Sequence, residues 1–494
     1  MLTAELSLGL LLLIPLAASV LIGLLGKNQN IREAVTFVAG FALLANVIYL
    51  VKLVASGVRP ELLLGTFAGS FELKLVLEPL GATFAAIASS LWILNSLFTM
   101  GYMRGNKEKN QTRFFLFVAI AIAAAMGIAA SGNLITLFIF YEVLTLSTFP
   151  LVAHKGDAKA RKGGTIYGLI LMGTSLAFLL PAVIGTHVIA GTTDFKVGGV
   201  FPSDISLLVT SILLFLFAFG IGKAALMPVH PWLPNAMVAP TPVSALLHAV
   251  AVVKAGVFTM VKVVVFIFGP SLAAATPMST VLSWVAAISI VVASLIALRQ
   301  DNLKARLAYS TVSQLSYVTL GAMLAAPTAI IGGALQIVMH AWGKITLFMC
   351  AGAIYTLAHR ANISKLDGLG RTMPWVFGAF LIGALSIIGA PPLGGSWPKY
   401  FLMVGALDSG KGILIAALIM SSILNVIYLI PIAARGFLRP PVDPEADAKI
   451  AAIRSEHKWV IIPPVLTAFG AFMLFFFSGP IVDFLSPILP NGAF

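Results

Sequence analysis

Residues 215–258 read FLFAFGIGKAALMPVHPWLPNAMVAPTPVSALLHAVAVVKAGVF. Two lysines, Lys223 and Lys254, lie in apolar runs on either side of a segment rich in proline. A charged side chain at the centre of a bilayer costs roughly 2.5–3.5 kcal/mol even on a lenient insertion scale. Because packing alone does not justify that cost, the stretch predicts membrane helices that carry functional charges.

The composition of the whole chain is that of a polytopic membrane protein. Of its 494 residues, 59% are hydrophobic and only 10% are charged, and the mean hydropathy is +1.02. The single cysteine, Cys350, excludes an internal disulfide, a Cys-ligated iron–sulfur cluster and a multi-cysteine zinc site on this chain. We therefore expect a membrane protein with no cofactor, metal or redox centre of its own.

Apolar runs of about 20 residues predict fourteen transmembrane helices. The first run, residues 6–25, has two interpretations: a signal peptide or a retained helix. It has no basic residues before it and is long enough to span a bilayer, which favours the retained helix. The predicted fold class is thus an all-α integral membrane protein.

The formal net charge of +13 raises the question of a nucleic-acid partner. The basic residues lie mostly in short loops between spans, not in a stripe with interleaved aromatic residues, so we expect none. They concentrate in the odd-numbered loops, whereas the even-numbered loops hold only Arg59, Lys74, Lys196 and Lys411. The positive-inside rule then places the odd-numbered loops in the cytoplasm and both termini outside. We expect a multi-pass protein of a prokaryotic cytoplasmic membrane.

Six lysines lie inside the predicted spans. Lys52 and Lys262 are within about two turns of a span end, so we expect them to snorkel to the headgroups and to be structural. The other four lie deeper or beside helix breaks and predict a hydrated functional path. These four are Lys223, Lys254, Lys344 and Lys399.

Two histidines and one acid accompany these lysines. His248 lies just under two helical turns before Lys254, and His340 is four residues before Lys344, on the same helix face. Glu142 lies well inside a span with apolar residues on both sides. It is either a neutral, hydrogen-bonded acid or the ion-pair partner of a buried lysine, and we expect the ion pair.

Two proline clusters predict discontinuous helices. Predicted helix 7, residues 205–233, carries a cluster in or near its second half, Pro228, Pro231 and Pro234. Predicted helix 12, residues 375–407, contains Pro391, Pro392 and Pro398 just before Lys399. Proline removes a backbone donor and clashes with the preceding turn, which breaks a helix. The prolines could instead end helices at interfacial loops. Their matching positions favour breaks inside the membrane, where irregular backbone must face protein or a water-filled cavity.

An inverted repeat is the second feature of this pattern. The separation of the two proline clusters nearly equals the separation of predicted helices 4 and 9. Five helices, an odd number, make up each unit, so a second copy would enter the membrane from the opposite side. We expect N-terminal helices in residues 1–110, the first five-helix repeat in 111–268, the inverted repeat in 269–438, and a cytoplasmic loop with the last helix in 439–494.

Six segments resemble the antiporter-like subunits shared by respiratory complex I, membrane-bound hydrogenases and the Mrp multisubunit Na⁺/H⁺ antiporters. The resemblance covers nearly the whole chain. The segments are YEVLTLSTFPLV (141–152), GKAALMPVHPWLPNAMVAPTPVSALL (222–247), HAVAVVKAG (248–256), DNLKARLAYSTVSQLSYV (301–318), HAWGKITLFMCAGA (340–353) and PPLGG (391–395).

The resemblance implies two five-helix inverted repeats and a central hydrophilic axis. It implies that Glu142 pairs with Lys223, that Lys254 carries protons toward the middle, and that Lys399 lies on the far half-channel. The chain departs from the family pattern at residues 396–398, where many members have a Gly-Phe pair, and in having no long lateral helix after the last span. Among the shorter members it looks most like the D-type component of the Mrp antiporters.

The function predicted on these grounds is proton translocation within a multisubunit Na⁺/H⁺ antiporter. The expected partners are small hydrophobic antiporter subunits, a second antiporter-like subunit, H⁺, Na⁺ and the lipid bilayer. Two alternatives share the fold: a proton-pumping component of a redox complex, and a membrane partner of an inorganic-carbon uptake system. A membrane enzyme would need a nucleophile or metal cluster, and the isolated His154 and His230 suggest neither.

Overall fold

The structure is a computed structural model that describes residues 3–67, 71–453 and 457–490. Helices dominate these ranges, and a single two-stranded sheet interrupts them. The first half contains α1 (Ala4–Leu25), α2 (Gln29–Ala55), β1 (Glu61–Phe67), β2 (Phe71–Val76), α3 (Pro79–Gly105), α4 (Gln111–Ala129), α5 (Leu134–Val152), α6 (Ala158–Thr174), α7 (Leu180–Ala190), α8 (Leu207–Gly220), α9 (Trp232–Asn235), α10 (Thr241–Ala245) and α11 (Val252–Val263). The second half contains α12 (Pro270–Ala275), α13 (Pro277–Arg299), α14 (Leu303–Leu324), α15 (Pro327–Ala358), α16 (Leu369–Thr372), α17 (Pro374–Ile388), α18 (Ser396–Asp408), α19 (Ile415–Leu438), α20 (Pro444–Ile453), α21 (Lys458–Met473) and α22 (Ser478–Leu485).

The predicted class, an all-α polytopic membrane protein, is confirmed. Within the described ranges, ten helical segments are long and apolar enough to cross a membrane. An eleventh is α21 with the segment that follows it, which meets it at 72°. The shorter helices α8 and α17 and the more polar α14 occupy the other three predicted spans. Length and apolarity alone thus identify eleven spans, and the remaining three follow the predicted order.

The most deeply buried helices form the centre of the molecule. In the run Thr241–Phe268, which contains α10 and α11, all of the most apolar 18 residues are buried inside the protein. In α15, 94% of the corresponding 18 residues are buried. The outer helix α1 is only 39% buried. A helix that is apolar all round and covered by protein is a core helix. Charges on the central helices are therefore surrounded by protein, whereas the outer helices present apolar side chains at the surface of the chain.

Both predicted helix breaks are confirmed. The helix α8 ends at Gly220, and regular α-helix resumes at Trp232; the helix α17 ends at Ile388 and α18 begins at Ser396. Each break contains a cis prolyl bond, Met227–Pro228 and Pro391–Pro392. By contrast α15 is one continuous helix of 32 residues, so length alone does not break a helix here.

Not every proline in the clusters lies in irregular backbone. Pro228 and Pro231 precede α9, whereas Pro234 lies inside that short helix. Pro391 and Pro392 lie between α17 and α18, whereas Pro398 is the third residue of α18. Proline is tolerated in the first turn of a helix, because the amide hydrogens there have no intrahelical acceptor. Pro234 and Pro398 therefore lie in the first turn of the helix that follows each break.

The β-hairpin was not predicted. Strands β1 and β2 pair antiparallel from Glu61↔Val76 to Phe67↔Phe71, with an irregularity between Leu63 and Gly65. The backbone carbonyl of Lys74 accepts a hydrogen bond from Gly132 N at 2.8 Å, which ties the hairpin to the start of α5. Its strands are too short to span a bilayer, and a search for apolar runs of span length passes over them.

The helix α11 contacts the first break directly at Gly256. A Cβ atom added there would approach Ala224 N and the carbonyl carbon of Lys223 at 2.3 Å. Contact between two backbones at this distance leaves no room for a side chain. Gly256 therefore lets the central helix support the irregular segment that carries Lys223.

We expect Gly256→Ala to destabilise the protein. Alanine ordinarily stabilises a helix by about 1 kcal/mol relative to glycine, but overpacking costs roughly 1–3 kcal/mol and here displaces the segment around Lys223. Thermal unfolding of the purified protein measures the change. The matched control is Gly173→Ala in α6, where a Cβ meets nothing within 4 Å; equal behaviour of the two variants would contradict the close packing.

Candidate functional site

Lys223 lies in the first break, in a single 3₁₀ turn formed by Gly222–Ala224. Its side chain is fully buried. The Nζ atom donates hydrogen bonds to Tyr141 O at 2.8 Å and to Thr145 Oγ1 at 2.6 Å, and it lies 3.2 Å from the centroid of the Tyr141 ring. Tyr141 and Thr145 are one turn apart on α5. The ammonium is therefore held by neutral groups of one helix.

The irregular backbone around Lys223 is satisfied by side chains. The Tyr141 hydroxyl accepts a hydrogen bond from Lys223 N at 3.0 Å, and Trp232 Nε1 donates to Gly222 O at 2.9 Å. A buried peptide group without a partner costs free energy comparable to a lost hydrogen bond. These two aromatic side chains supply partners that the interrupted helix cannot, and they fix the position of the lysine.

The expected direct ion pair between Glu142 and Lys223 is not formed. Both carboxylate oxygens of Glu142 are buried and have no hydrogen-bond partner among the described residues. The lysine instead reaches the neighbouring carbonyl of Tyr141. Glu142 nevertheless interacts electrostatically with Lys223 from beyond ion-pair distance.

Lys254 and His340 meet at the centre of the molecule. The Nζ atom of Lys254 on α11 lies 2.6 Å from Nδ1 of His340 on α15, and both side chains are buried. Helical spacing predicts His340 on one face with Lys344, and the structure shows in addition that the histidine reaches across to Lys254. A hydrogen bond between two groups that can each bind a proton provides a transfer step between two helices.

Lys344 and His248 flank this pair. Lys344 Nζ donates to Leu307 O of α14 at 3.2 Å. His248 lies in a π-helical turn, Leu246–Val250, and its ring is 4.4 Å from that of Phe348. Such turns are frequent at functional sites in helices. Both ring nitrogens of His248 are buried and lack a hydrogen-bond partner within the described ranges.

Lys399 spans the second break. Its Nζ atom donates to Ile388 O, the last carbonyl of α17, at 2.6 Å and to Ser422 Oγ of α19 at 2.8 Å. A cation at a helix C-terminus is favoured by the helix dipole. Lys399 therefore joins the two halves of the discontinuous helix, as Lys223 joins the first break to α5.

A polar cluster between α13, α14 and α19 was not predicted. The hydroxyls of Ser294, Ser313 and Ser421 lie 3.0–3.2 Å from one another, and Tyr428 OH donates to Ser310 Oγ at 2.8 Å. The signal lay in the segment LAYSTVSQLSYV, where Ser310, Ser313 and Tyr317 recur at helical spacing on one face. The cluster lies on the helices that carry the partners of Lys344 and Lys399.

The snorkelling prediction for Lys262 is wrong. Lys262 is fully buried, and its Nζ atom lies 3.3 Å from Glu78 Oε1 and donates to Ser131 O at 2.8 Å. The side chain lines a charged cavity of about 330 Å³ behind the β-hairpin. Lys52, in contrast, is exposed in the last turn of α2, as expected for a snorkelling lysine.

Lys74 belongs to the same charged cavity. It forms ion pairs with Glu61 at 3.3 Å and Asp194 at 3.4 Å. Burial works against its charge, but Asp194 and Glu61 outweigh that effect and raise the pKa of Lys74 above its ordinary value. The end of α11 is therefore enclosed by a network of charged side chains that contains the Lys262–Glu78 pair.

The two isolated histidines do not come together. His154 Nε2 lies 3.0 Å from Lys109 O, and the ring of His230 lies 6.3 Å from that of Tyr309. Among residues 3–67, 71–453 and 457–490 no group of three or more potential metal ligands occurs. Within these ranges, neither histidine is part of a cluster that would suggest a metal site.

Comparison with known proteins relates the sequence of this chain to one family of membrane proteins. Residues 131–425 match the family described as NADH:quinone oxidoreductase/Mrp antiporter, transmembrane. The chain is 28% identical over 496 aligned positions, 96% of each chain, to NADH-quinone oxidoreductase subunit N of Desulforudis audaxviator (strain MP104C). It is 31% identical over 350 positions to NAD(P)H-quinone oxidoreductase chain 5 of Synechocystis sp. (strain ATCC 27184 / PCC 6803 / Kazusa), covering 67% of this chain and 50% of the relative.

Two solved structures show the same fold. A chain of the Mrp complex from Dietzia sp. DQ12-45-1b superposes with a TM-score of 0.82 at 21% identity, covering 98% of this chain and 96% of that one. A chain of the membrane-bound sulfane sulfur reductase, an archaeal respiratory membrane complex, gives 0.78 at 22% identity, covering 96% and 97%. The family match extends over more than half of the chain and contains every residue of the predicted proton path, from Glu142 to Lys399. The chain belongs to the NADH:quinone oxidoreductase/Mrp antiporter transmembrane family.

Proposed function

We propose that the chain is the proton-translocating component of a multisubunit monovalent cation (Na⁺)/H⁺ antiporter, of the D type found in the Mrp antiporters, placed in a prokaryotic cytoplasmic membrane with both termini outside. The observation that carries this proposal is the 2.6 Å contact between Lys254 and His340 on the two most buried helical segments. Lys223 and Lys399 lie at the two helix breaks, and Glu142 lies beside Lys223. The fold match to the Mrp complex over 98% of the chain supports the host.

The proposed path uses the neutral partners of the lysines. Burial without a counter-ion disfavours the charged form of a lysine, and the Nζ atoms of Lys223, Lys344 and Lys399 contact carbonyl or hydroxyl oxygens. Releasing the proton from such a lysine costs less free energy than releasing it from a lysine that is held in an ion pair. His340 accepts it from Lys254, and His248 provides a further site beside Lys344.

Glu142 supplies the control in this proposal. At an effective dielectric of about 20, two charges attract by about 4 kcal/mol at 4 Å and by half of that at twice the distance. A movement of Glu142 by a few ångströms therefore changes the proton affinity of Lys223 by a factor of about 30. The unpaired carboxylate corresponds to the state in which the acid has withdrawn and the Lys223 proton is released toward Lys254.

A second candidate function is proton pumping within a redox complex. Its specific support is the match to subunit N of an NADH-quinone oxidoreductase, which extends over 96% of both chains. The same lysines and histidines would then carry protons that are driven by electron transfer in partner subunits. The two functions differ in the driving force and in the partners, not in the path through this chain.

We expect a Na⁺ gradient to drive proton movement in vesicles that contain the complex, and Lys254→Met to reduce the rate at least ~100-fold, because the transfer step to His340 is lost. A pH-sensitive dye inside the vesicles gives the rate, and the proteins that co-purify with the chain identify the host. Lys411→Met, in a loop outside the spans, is the control and should keep the wild-type rate. Proton movement that requires an electron donor and a quinone acceptor, and that does not depend on Na⁺, would favour the second candidate.

A further inference from the structure

A basic cavity opens on the side of the odd-numbered loops. Its volume is about 260 Å³, and it lies where the loops after α5, α9, α13 and α15 meet. Four cationic side chains line it: Lys155, Lys159, Lys304 and Arg360. None of them belongs to the proposed proton path, so the cavity requires its own explanation.

Lys304 is the partly buried cation of this cavity. Its Nζ atom donates to Ala239 O at 2.6 Å. Glu108 attracts it from a greater distance, but no carboxylate among the described residues lies within the 4 Å of an ion pair. Charges that are removed from water are usually paired. Lys304 therefore lines the cavity with an amino group that has one neutral acceptor and further donor capacity.

Arg360 gives a second, independent observation. Its Nη2 atom lies 2.7 Å from Asp447 Oδ1, whereas its Nη1 atom is buried and has no hydrogen-bond partner among the described residues. A buried donor that is left unsatisfied costs roughly 1–3 kcal/mol in proteins. Arg360 lines the cavity, so its guanidinium carries a buried donor without an acceptor beside this cavity.

The acids around the cavity do not neutralise it. Asp157 accepts a hydrogen bond from Ala160 N at 2.7 Å and so caps α6, while Asp447 pairs with Arg360. Lys155 and Lys159 are exposed at the rim and have no ion pair within the described ranges. The cavity therefore keeps more positive than negative side chains.

We propose that this cavity binds a phosphate-bearing anion. Phosphate oxygens accept strong charge-assisted hydrogen bonds from lysine and arginine, and three lysines and Arg360, which has an unused donor, line the cavity. The volume is below the usual range of about 300–1,000 Å³ for drug-sized ligands, which fits a single headgroup better than a nucleotide. The source of the phosphate is either an anionic lipid headgroup or inorganic phosphate.

The experiment uses the native complex, purified in uncharged detergent and stripped of lipid. Inorganic phosphate, phosphatidylglycerol and phosphatidylcholine are added separately, with chloride at equal ionic strength as a salt control, and the thermal unfolding midpoint reports binding. We expect phosphate or phosphatidylglycerol to raise the midpoint. The double variant Lys155→Gln/Lys159→Gln should weaken that binding about 30-fold.

Two further variants complete the test. Lys304→Gln should also weaken binding, whereas Lys365→Gln, which removes an exposed lysine from the neighbouring loop outside the cavity, should not. The two substituted rim lysines are exposed, so loss of folding does not explain a loss of binding. A response to phosphatidylglycerol alone identifies a lipid site, and a response to both probes identifies a general phosphate site. No response to either probe, or equal binding by all variants, overturns the proposal.

Discussion

Replacing Lys223 by alanine is expected to lower ion-driven proton transport by about 100-fold or more while the complex still assembles. The lysine is fully buried in the first break, and in the proposed mechanism its ammonium is the group that Glu142 controls. The variant removes the proton-binding group but leaves Tyr141 and Trp232, which hold the backbone of the break. Transport in vesicles and the yield of intact complex measure the two effects separately.

Lys223→Arg separates proton transfer from charge. Arginine keeps a positive charge near Thr145 but does not release its proton in proteins. If Lys223 only balances charge, arginine will restore transport; if it transfers protons, arginine will fail as alanine does, which is the expected result. Lys52→Ala is the matched control, because this lysine is exposed near the end of α2. Wild-type transport by Lys223→Ala would exclude the path proposed for the first repeat.

The fold was largely predictable because two strong signals run through the whole sequence. Apolar runs mark the helices, and prolines next to Lys223 and Lys399 mark the two breaks. A search for apolar runs missed the β-hairpin, since its strands are short and Leu62, Leu63 and Leu64 of β1 do not alternate with polar residues. The signal that could have found it is β2, FELKLV (71–76), in which apolar and polar residues alternate. Local patterns thus predicted the helices that cross the membrane, but not the β-hairpin that covers the end of α11.

The site was predicted as a set of residues, and the structure adds their partners. Depth in a span identified Lys223, Lys254 and Lys399, because a buried charge has a high cost wherever its partner lies. The partner depends on which helices meet, and that is a tertiary property. The sequence therefore predicted an acid for Lys223, whereas the structure supplies the Tyr141 carbonyl and Thr145, and it joins Lys254 to His340 across 86 positions.

Lys262 shows the limit of arguments from distance to a span end. Snorkelling requires that the path from the side chain to the headgroups is open. Here the β-hairpin and the segment around Ser131 and Phe195 enclose the end of α11, and the Lys262 ammonium lies 4.6 Å from the centroid of the Phe195 ring. The lysine is surrounded by protein because the loops fold back over the helix end.

Removing this lysine is therefore expected to destabilise the protein strongly. Lys262→Met should lower the free energy of unfolding by roughly 3–5 kcal/mol, because it leaves Glu78 as an unpaired, largely buried charge. The side chain of Glu78 is only 12% exposed, and its oxygens also accept hydrogen bonds from Leu80 N and Gly81 N at the start of α3. Unfolding of the purified protein in denaturing detergent, followed by tryptophan fluorescence, measures the loss.

The double variant Lys262→Met/Glu78→Gln distinguishes a charge pair from simple packing. If the cost of Lys262→Met comes from the stranded carboxylate, neutralising Glu78 should recover part of the stability, since glutamine can still cap α3 through its side-chain oxygen. Lys196→Met is the control, because Lys196 lines the same cavity but is exposed. A Lys262→Met protein as stable as this control would show that the ammonium reaches water, as a snorkelling side chain does, and that the buried pair contributes little to the fold.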